Sequence, residues 1–248
     1  KPLIYTAETA EVENFDQRSA EFIKDNGKGM NITVPFKQQA WEICTTRSER
    51  AQRAGAVNTI IVQANGEYFG ENTDGLGLVR DLTKNHQVEL KGKRILILGA
   101  GGAVRGVIEP IMQQAPSELY IANRTFPKAL ELAVDFSDLG KIKGCGFDAL
   151  EGQSFDVVIN GTSASLTGEL PPLPANLFGE NACAYDMLYA SDPTVFMDWA
   201  SQHGASRVFG CLGMLVEQAA ESFNLWRGVE PDAKPVIDAI RASLTEKT

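Results

Sequence analysis

Lys37 and Asp74 carry side chains on which proton transfer to and from a hydroxyl could be built, and the polar Asn58 lies between them in the sequence. Lys37 closes the run Asn31-Ile32-Thr33-Val34-Pro35-Phe36-Lys37, where a strand ends and a proline opens a helix. Asp74 stands in Asn72-Thr73-Asp74-Gly75, a turn before a helical stretch, and Asn58 sits at the mouth of a strand in Gly55-Ala56-Val57-Asn58-Thr59. Oxidising an alcohol requires a group that reaches the hydroxyl and holds a suitable protonation state as hydride leaves the carbon. Few other groups are on offer. The chain has two histidines, His86 in the polar stretch Lys84-Asn85-His86-Gln87 and His203 just before Gly204, and both read as surface or helix-end residues. Cys44, Cys145, Cys183 and Cys211 are widely spaced, without a Cys-x-x-Cys pair, and read as free thiols with no metal or redox signature. A lysine working with a carboxylate is what remains. Each candidate also has a plainer reading, with Asp74 a helix cap, Lys37 a solvated residue and Asn58 a turn former. Spacing alone does not bring the three together.

A second signal is local. The apolar run Arg94-Ile95-Leu96-Ile97-Leu98 leads into Gly99-Ala100-Gly101-Gly102-Ala103. Such a run reads as a buried parallel strand, and the glycines as a tight turn into a helix whose unpaired N–H groups and positive dipole end face a dinucleotide pyrophosphate. Glycine-rich turns also punctuate ordinary loops, and Val104 stands where the usual third glycine would be. The next strand, Leu119-Tyr120-Ile121-Ala122, ends at Asn123-Arg124-Thr125. NAD sites commonly place an acid there for the ribose 2′-hydroxyl. An amide, a guanidinium and a hydroxyl suit a 2′-phosphate instead, so the expected cofactor is NADP.

These groups need a scaffold, and the composition allows one. The chain has 248 residues, 44% hydrophobic and 22% charged, enough for a substantial core or two smaller ones. A net charge of −9 argues against non-specific nucleic-acid binding. No stretch is long and apolar enough to span a bilayer, and the N-terminal residues Lys1-Pro2-Leu3-Ile4-Tyr5 lack a signal-peptide layout. The expected compartment is cytoplasmic.

From about Leu90 to Cys211, short apolar strands alternate with helices. Strands are expected at 94–98, 119–122, 157–160, 182–186 and 207–209, and helices include 104–114 and 129–136, which implies a doubly wound parallel sheet. Ligands in such sheets sit beyond the carboxyl ends of the strands, where Gly161-Thr162-Ser163 and Met187-Leu188-Tyr189 follow. Before Leu90 lies a second α/β unit: a strand at 3–6, a helix at 15–25, a strand at 30–34, and strands at 59–64 and 68–70 joined by an Asn65-Gly66 hairpin turn. A helix from Thr73 to about Lys84 leads into the dinucleotide unit, and 214–226 and 236–244 read as amphipathic helices. The fold class is therefore α/β with two domains, a Rossmann-like NADP-binding domain and an α/β substrate domain, with a cleft between.

At these motifs the chain resembles the shikimate dehydrogenases, NADP-dependent enzymes of aromatic amino-acid biosynthesis. The resemblance runs through the motifs above together with Ala54-Gly55-Ala56-Val57-Asn58-Thr59, Gly70-Glu71-Asn72-Thr73-Asp74-Gly75, Asn160-Gly161-Thr162-Ser163, Tyr185-Asp186-Met187-Leu188-Tyr189 and Gly213-Met214-Leu215-Val216-Glu217-Gln218-Ala219, in family order. It implies that Lys37 and Asp74 are the catalytic pair, with Lys37 accepting and donating the proton. It implies that Thr33, Asn58 and Gln218 contact shikimate, with Tyr189 nearby. Gly99, Ala100, Gly101, Gly102 and Ala103 would hold the pyrophosphate, and Asn123, Arg124, Thr125 and Lys128 the adenosine phosphate. Thr162, Met187, Gly210 and Met214 would line the nicotinamide side, and no metal is implied. Residues 1–73 with 213–248 would form the substrate domain and 74–212 the NADP domain, in a monomer or homodimer. Family members open with a strand, a glycine-rich turn and a Ser-x-Ser element that grips the substrate carboxylate. No such element stands near Lys1, and Ser163-Ala164-Ser165 belongs to the dinucleotide domain. A protein of only these residues is expected to bind NADP yet turn over shikimate poorly. Two alternatives are a quinate/shikimate dehydrogenase of broader specificity and a catalytically silent NADP-binding module.

Overall fold

Between Phe15 and Glu71 the chain wraps three helices around a small sheet. The computed structural model describes residues 3–162, 164, 168–190 and 192–245. Helix α1 (Phe15–Lys24) stops where Asn26 turns to a positive φ of 73°. Strand β1 (Gly29–Asn31) leads through a turn to α2 (Lys37–Ile43), so the helix begins two residues after Pro35 rather than at it. Strand β2 (Thr46–Arg47) precedes α3 (Glu49–Ala54), which Ser48 caps by accepting from the Ala51 N–H and which Gly55 ends at φ 61°. Strands β3 (Thr59–Val62) and β4 (Tyr68–Glu71) form the expected hairpin, with Gly66 at φ 85°. The order is β1-β3-β4-β2, with only the β2–β4 pair parallel. Phe15, Ile32, Ala40, Cys44, Ala51, Val57 and Ile60 make its core, and Phe15 stacks on Phe36 at 5.0 Å. The strand expected at 3–6 does not form. Leu3, Ile4 and Tyr5 are exposed and pair with no strand among the described residues, so the apolar run has no ladder to join.

The second unit starts at Thr73. Helix α4 (Asp74–Arg80) runs on into a π-helical turn at Asp81–Asn85. Then follow β5 (Arg94–Leu98), α5 (Gly102–Met112), β6 (Glu118–Ala122), α6 (Phe126–Asp135), β7 (Ile142–Cys145), β8 (Phe155–Asn160), β9 (Phe178–Asp186), α7 (Val195–Gln202) and β10 (Arg207–Gly210). All six strands are parallel, in the order β10-β9-β8-β5-β6-β7. Period-two alternation feeds two cores. Ile95, Ile97, Val157 and Ile159 face Val104, Val107 and Ile111 on one side, while Leu96, Leu98 and Val158 meet Phe155, Ala184 and Phe196 on the other.

Helices α8 (Leu212–Arg227) and α9 (Lys234–Thr245) close the chain, packed through Val216, Ala220, Ala233 and Ile237. The sequence reading joined 213–248 to residues 1–73, but these helices belong to the second compact unit. The physical reason lies in the contact of α8 with α4. A Cβ added at Gly77 would come 2.7 Å from Met214 O and 2.9 Å from Gln218 N, an approach only glycine permits.

Candidate active site

In the first unit, three motifs that spacing could not join converge on residues 56–58. The Val57 N–H donates to the Lys37 carbonyl at 2.8 Å, and Asn72 Nδ2 donates to the Ala56 carbonyl at 3.1 Å. Asn58 is 2% exposed, its N–H donating to Glu71 O at 3.1 Å and its carbonyl accepting from the Ile32 N–H at 2.7 Å. Thr59 Oγ1 donates to Asn58 Oδ1 at 3.0 Å. Asn58 is therefore built into the sheet and is more than a turn former. Lys37 opens α2 half-buried, and Thr33 is exposed in the turn before it. Glu71, which leads into Asn72, has its buried carboxylate satisfied by Ser48 Oγ at 2.5 Å, Arg50 at 2.9 Å and the Asn72 N–H at 2.8 Å. That set of bonds fixes the end of β4 where the polar motif begins. Tyr5, which the sequence did not single out, donates its hydroxyl to Asn31 Oδ1 at 2.9 Å.

In the second unit Asp74 opens α4, and Thr73 Oγ1 donates to the Gln218 carbonyl at 3.0 Å. Gln218 is half-buried on α8, its Nε2 donating to Leu215 O at 2.9 Å. Tyr189 lies beyond β9, about half exposed.

The glycine turn has the shape of a phosphate cradle. Gly99 holds φ 105°, and a Cβ there would lie 3.0 Å from Gly161 O. A Cβ at Gly101 or Gly102 would meet nothing within 4 Å, so both face open space. The N-terminus of α5 has no capping side chain and no acid in its first turn, leaving exposed Gly101, Gly102 and Ala103 at its positive end. Beyond β6, Asn123 Nδ2 donates to Thr125 O at 3.0 Å and orders the turn. Arg124, Thr125 and Lys128 are exposed there, and neither cation forms an ion pair with a described residue. Two cations and a bare helix N-terminus on neighbouring βα turns fit a dinucleotide bearing an extra phosphate.

Beyond β8 and β9 a buried polar chain orders the loops. Asn160 Nδ2 donates to Asp186 Oδ1 at 3.2 Å, and Asn160 Oδ1 accepts from Thr162 N–H at 3.1 Å and Thr162 Oγ1 at 2.8 Å. Asp186 also accepts from the Leu188 N–H at 3.0 Å and from Thr194 Oγ1 at 2.5 Å, and the Asn160 carbonyl accepts from the Met187 N–H at 2.9 Å. Thr162 and Met187 are thus held at adjacent strand ends. Gly210 ends β10, and Met214 lies in the first turn of α8. Ser163 falls outside the described residues. The sequence reading did not assign Asn160, Asp186 or Thr194; the available signal was a polar residue closing each of two apolar strands. Among the described residues no cluster of His, Cys, Asp or Glu could hold a metal ion, and no helix is long and apolar enough to cross a membrane.

Comparison with known proteins agrees along the chain. Residues 2–60 match the shikimate dehydrogenase substrate binding domain, 81–167 shikimate / quinate 5-dehydrogenase, and 212–241 the shikimate 5′-dehydrogenase C-terminal domain. The chain is 51% identical to the shikimate dehydrogenase (NADP(+)) of Cellvibrio japonicus, over 99% of this chain and 88% of that protein. It is 55% identical to the one of Alkalilimnicola ehrlichii, over 93% and 84%. Among solved structures it resembles an Ael1 enzyme from Pseudomonas putida (TM-score 0.87, 46% identity, 92% of this chain and 84% of that one). It also resembles shikimate 5-dehydrogenase from Thermus thermophilus in complex with NADP(H) and shikimate (TM-score 0.80, 34% identity, 94% and 85%).

Proposed function

The chain belongs to the shikimate dehydrogenase family, and from that premise we propose that it interconverts shikimate and 3-dehydroshikimate with NADP as its cofactor. The half-identity to curated NADP-dependent shikimate dehydrogenases over nearly the whole chain carries this reading. NADP, when bound, supplies the acceptor for hydride from the substrate carbon. Lys37 takes the hydroxyl proton during oxidation and returns it during reduction, and Asp74 completes the proton-transfer machinery. Thr33, Asn58, Tyr189 and Gln218 supply the polar contacts a polyhydroxylated ring demands. Gly99 to Ala103 offer backbone N–H groups to the pyrophosphate, while Asn123, Arg124, Thr125 and Lys128 engage the 2′-phosphate. Thr162, Met187, Gly210 and Met214 supply the largely apolar wall beside the nicotinamide.

The three buried free cysteines and half-buried Cys145 suit a reducing, cytoplasmic setting. The working form is a monomer or a homodimer, which sedimentation of the purified protein distinguishes. The decisive assay follows reduced-nicotinamide absorbance with shikimate or quinate, and with NADP or NAD. Turnover of shikimate with NADP, well above quinate, is expected of the full-length protein. Comparable rates on both substrates would support a quinate/shikimate enzyme, and cofactor binding without turnover by the full-length protein would support a silent module.

A further inference from the structure

Resting on the reading that Gly210 and Met214 face the nicotinamide, we propose that Tyr185 and Asp81 are positioning residues for hydride transfer. A buried relay from the Tyr185 hydroxyl to the Asp81 carboxylate, and from that carboxylate to the α8 backbone at Gly213, holds the first turn of α8 in register. Tyr185 is fully buried in β9 and donates to Asp81 Oδ2 at 2.7 Å. Asp81 is 1% exposed, and its second oxygen accepts from Asn85 Nδ2 at 2.9 Å. That oxygen also lies 3.5 Å from His86 Nε2, on a ring stacked at 3.9 Å over Phe209, the residue before Gly210. One carboxylate therefore lies against Gly213 and, through the His86 ring, borders Phe209, the residues that precede Met214 and Gly210.

Two further observations agree. Any Cβ at Gly213 would collide with the Asp81 carboxylate, so the acid lies directly against the positive end of α8. Cys211, the residue before that helix, gives it no side-chain cap, which leaves the first-turn N–H groups in need of partners. Burial, then the charge of Asp81, holds the Tyr185 phenol well above its ordinary range, so it stays a donor to the carboxylate. An apolar pair could fill this space without the desolvation cost of a carboxylate and a phenol. What the polar pair adds is a fixed address for the turn of α8 at Gly213, the residue before Met214.

Misplacing a reacting group by about 1 Å costs roughly 10²-fold in rate. Tyr185→Phe should therefore lower kcat for NADPH-dependent reduction of 3-dehydroshikimate by about 10- to 100-fold. It should raise the primary isotope effect on kcat with 4-deuterated NADPH, because hydride transfer becomes more rate-limiting. Affinity for 2′,5′-ADP, which lacks the nicotinamide, should stay unchanged. Asp81→Asn, nearly isosteric, should show the same pattern and serves if Tyr185→Phe fails to fold. An inactive full-length wild-type protein would overturn the functional reading. An active wild type beside a variant with unchanged kcat and isotope effect would overturn the relay alone. Parallel loss of 2′,5′-ADP affinity, or failure of both variants to fold, would also overturn it by showing a general structural role.

Discussion

Gly77→Ala adds one methyl where α4 meets α8, and the structure sets what that methyl encounters. It would lie 2.7 Å from Met214 O, 2.9 Å from Gln218 N and 2.9 Å from Gln218 Cβ, whereas ordinary contact begins near 3.4 Å. Two of the three atoms are backbone, so no rotamer change relieves them and α8 must retreat by about 0.7 Å. Overpacking of this kind costs about 3 kcal/mol at the upper end of its usual range. Alanine's better helix propensity offsets about 1 kcal/mol, leaving roughly 2 kcal/mol of destabilisation. At about 2–4 °C per kcal/mol for a unit of this size, Tm should fall by roughly 4–8 °C. The displaced atoms belong to Met214 and Gln218, so kcat should fall by about 10-fold. Affinity for 2′,5′-ADP should hold, because Arg124 and Lys128 stand on a different βα turn. Calorimetry and steady-state kinetics on the variant test both parts. An unchanged Tm with unchanged kcat would refute the claim that this contact sets the position of α8.

Lys37→Ala and Asp74→Asn should each lower turnover by about 10²–10⁴-fold while NADP binding, followed by titration, stays close to wild type. Near-normal turnover in either would remove that residue from the mechanism. Arg124→Ala should weaken NADP by about 10- to 100-fold, the worth of a charge-assisted bond, with little effect on NAD or on Tm. Equal losses for both cofactors would show that Arg124 does not read the phosphate. Burial depresses the His86 imidazole below its ordinary value against the pull of Asp81, and Arg241 and Arg207 add to the depression. The unfolded chain then binds this proton first, so the His86 contribution is complete above about pH 6.5 and is lost as pH falls below it. The stability of wild type relative to His86→Gln, read from urea midpoints, should decline as pH falls below about 6.5; parallel curves would contradict the assignment.

Sequence legibility followed locality. Strand β5 reads directly because Ile95 to Leu98 is apolar on both faces, and the glycine turn and Arg124 read because each adjoins its strand in the chain. Strand β7 is not legible: Lys143 and Gly144 break its pattern, and it lies at the sheet edge, where one side needs no partner. Helix α2 is legible only through the proline before it, while α3 is short and polar and is held by contacts distant in sequence, Arg50 on Glu71 and Ala51 in the small core. Lys37 and Asp74 stand out only through the family's motifs, because taken alone each reads equally as a solvated residue or a helix cap. The bonds among Asn160, Asp186 and Thr194 join different strands and loops, and no linear pattern encodes them. His86 does end a helical turn as expected, yet its ring is tucked against Phe209 rather than solvated.

The order β10-β9-β8-β5-β6-β7 also determines how the sheet can be born on a ribosome. The strand made first, β5, is an inner strand, and β6 and β7 can zip onto one flank as they emerge. Its other flank waits for β8, which begins only at Phe155. Until then the nascent chain displays a bare row of Ile95 to Leu98 backbone groups, an open template for a neighbouring chain. Ribosome stalling before Phe155 should therefore be the most aggregation-prone interval in this protein's synthesis, and chaperone occupancy should peak there.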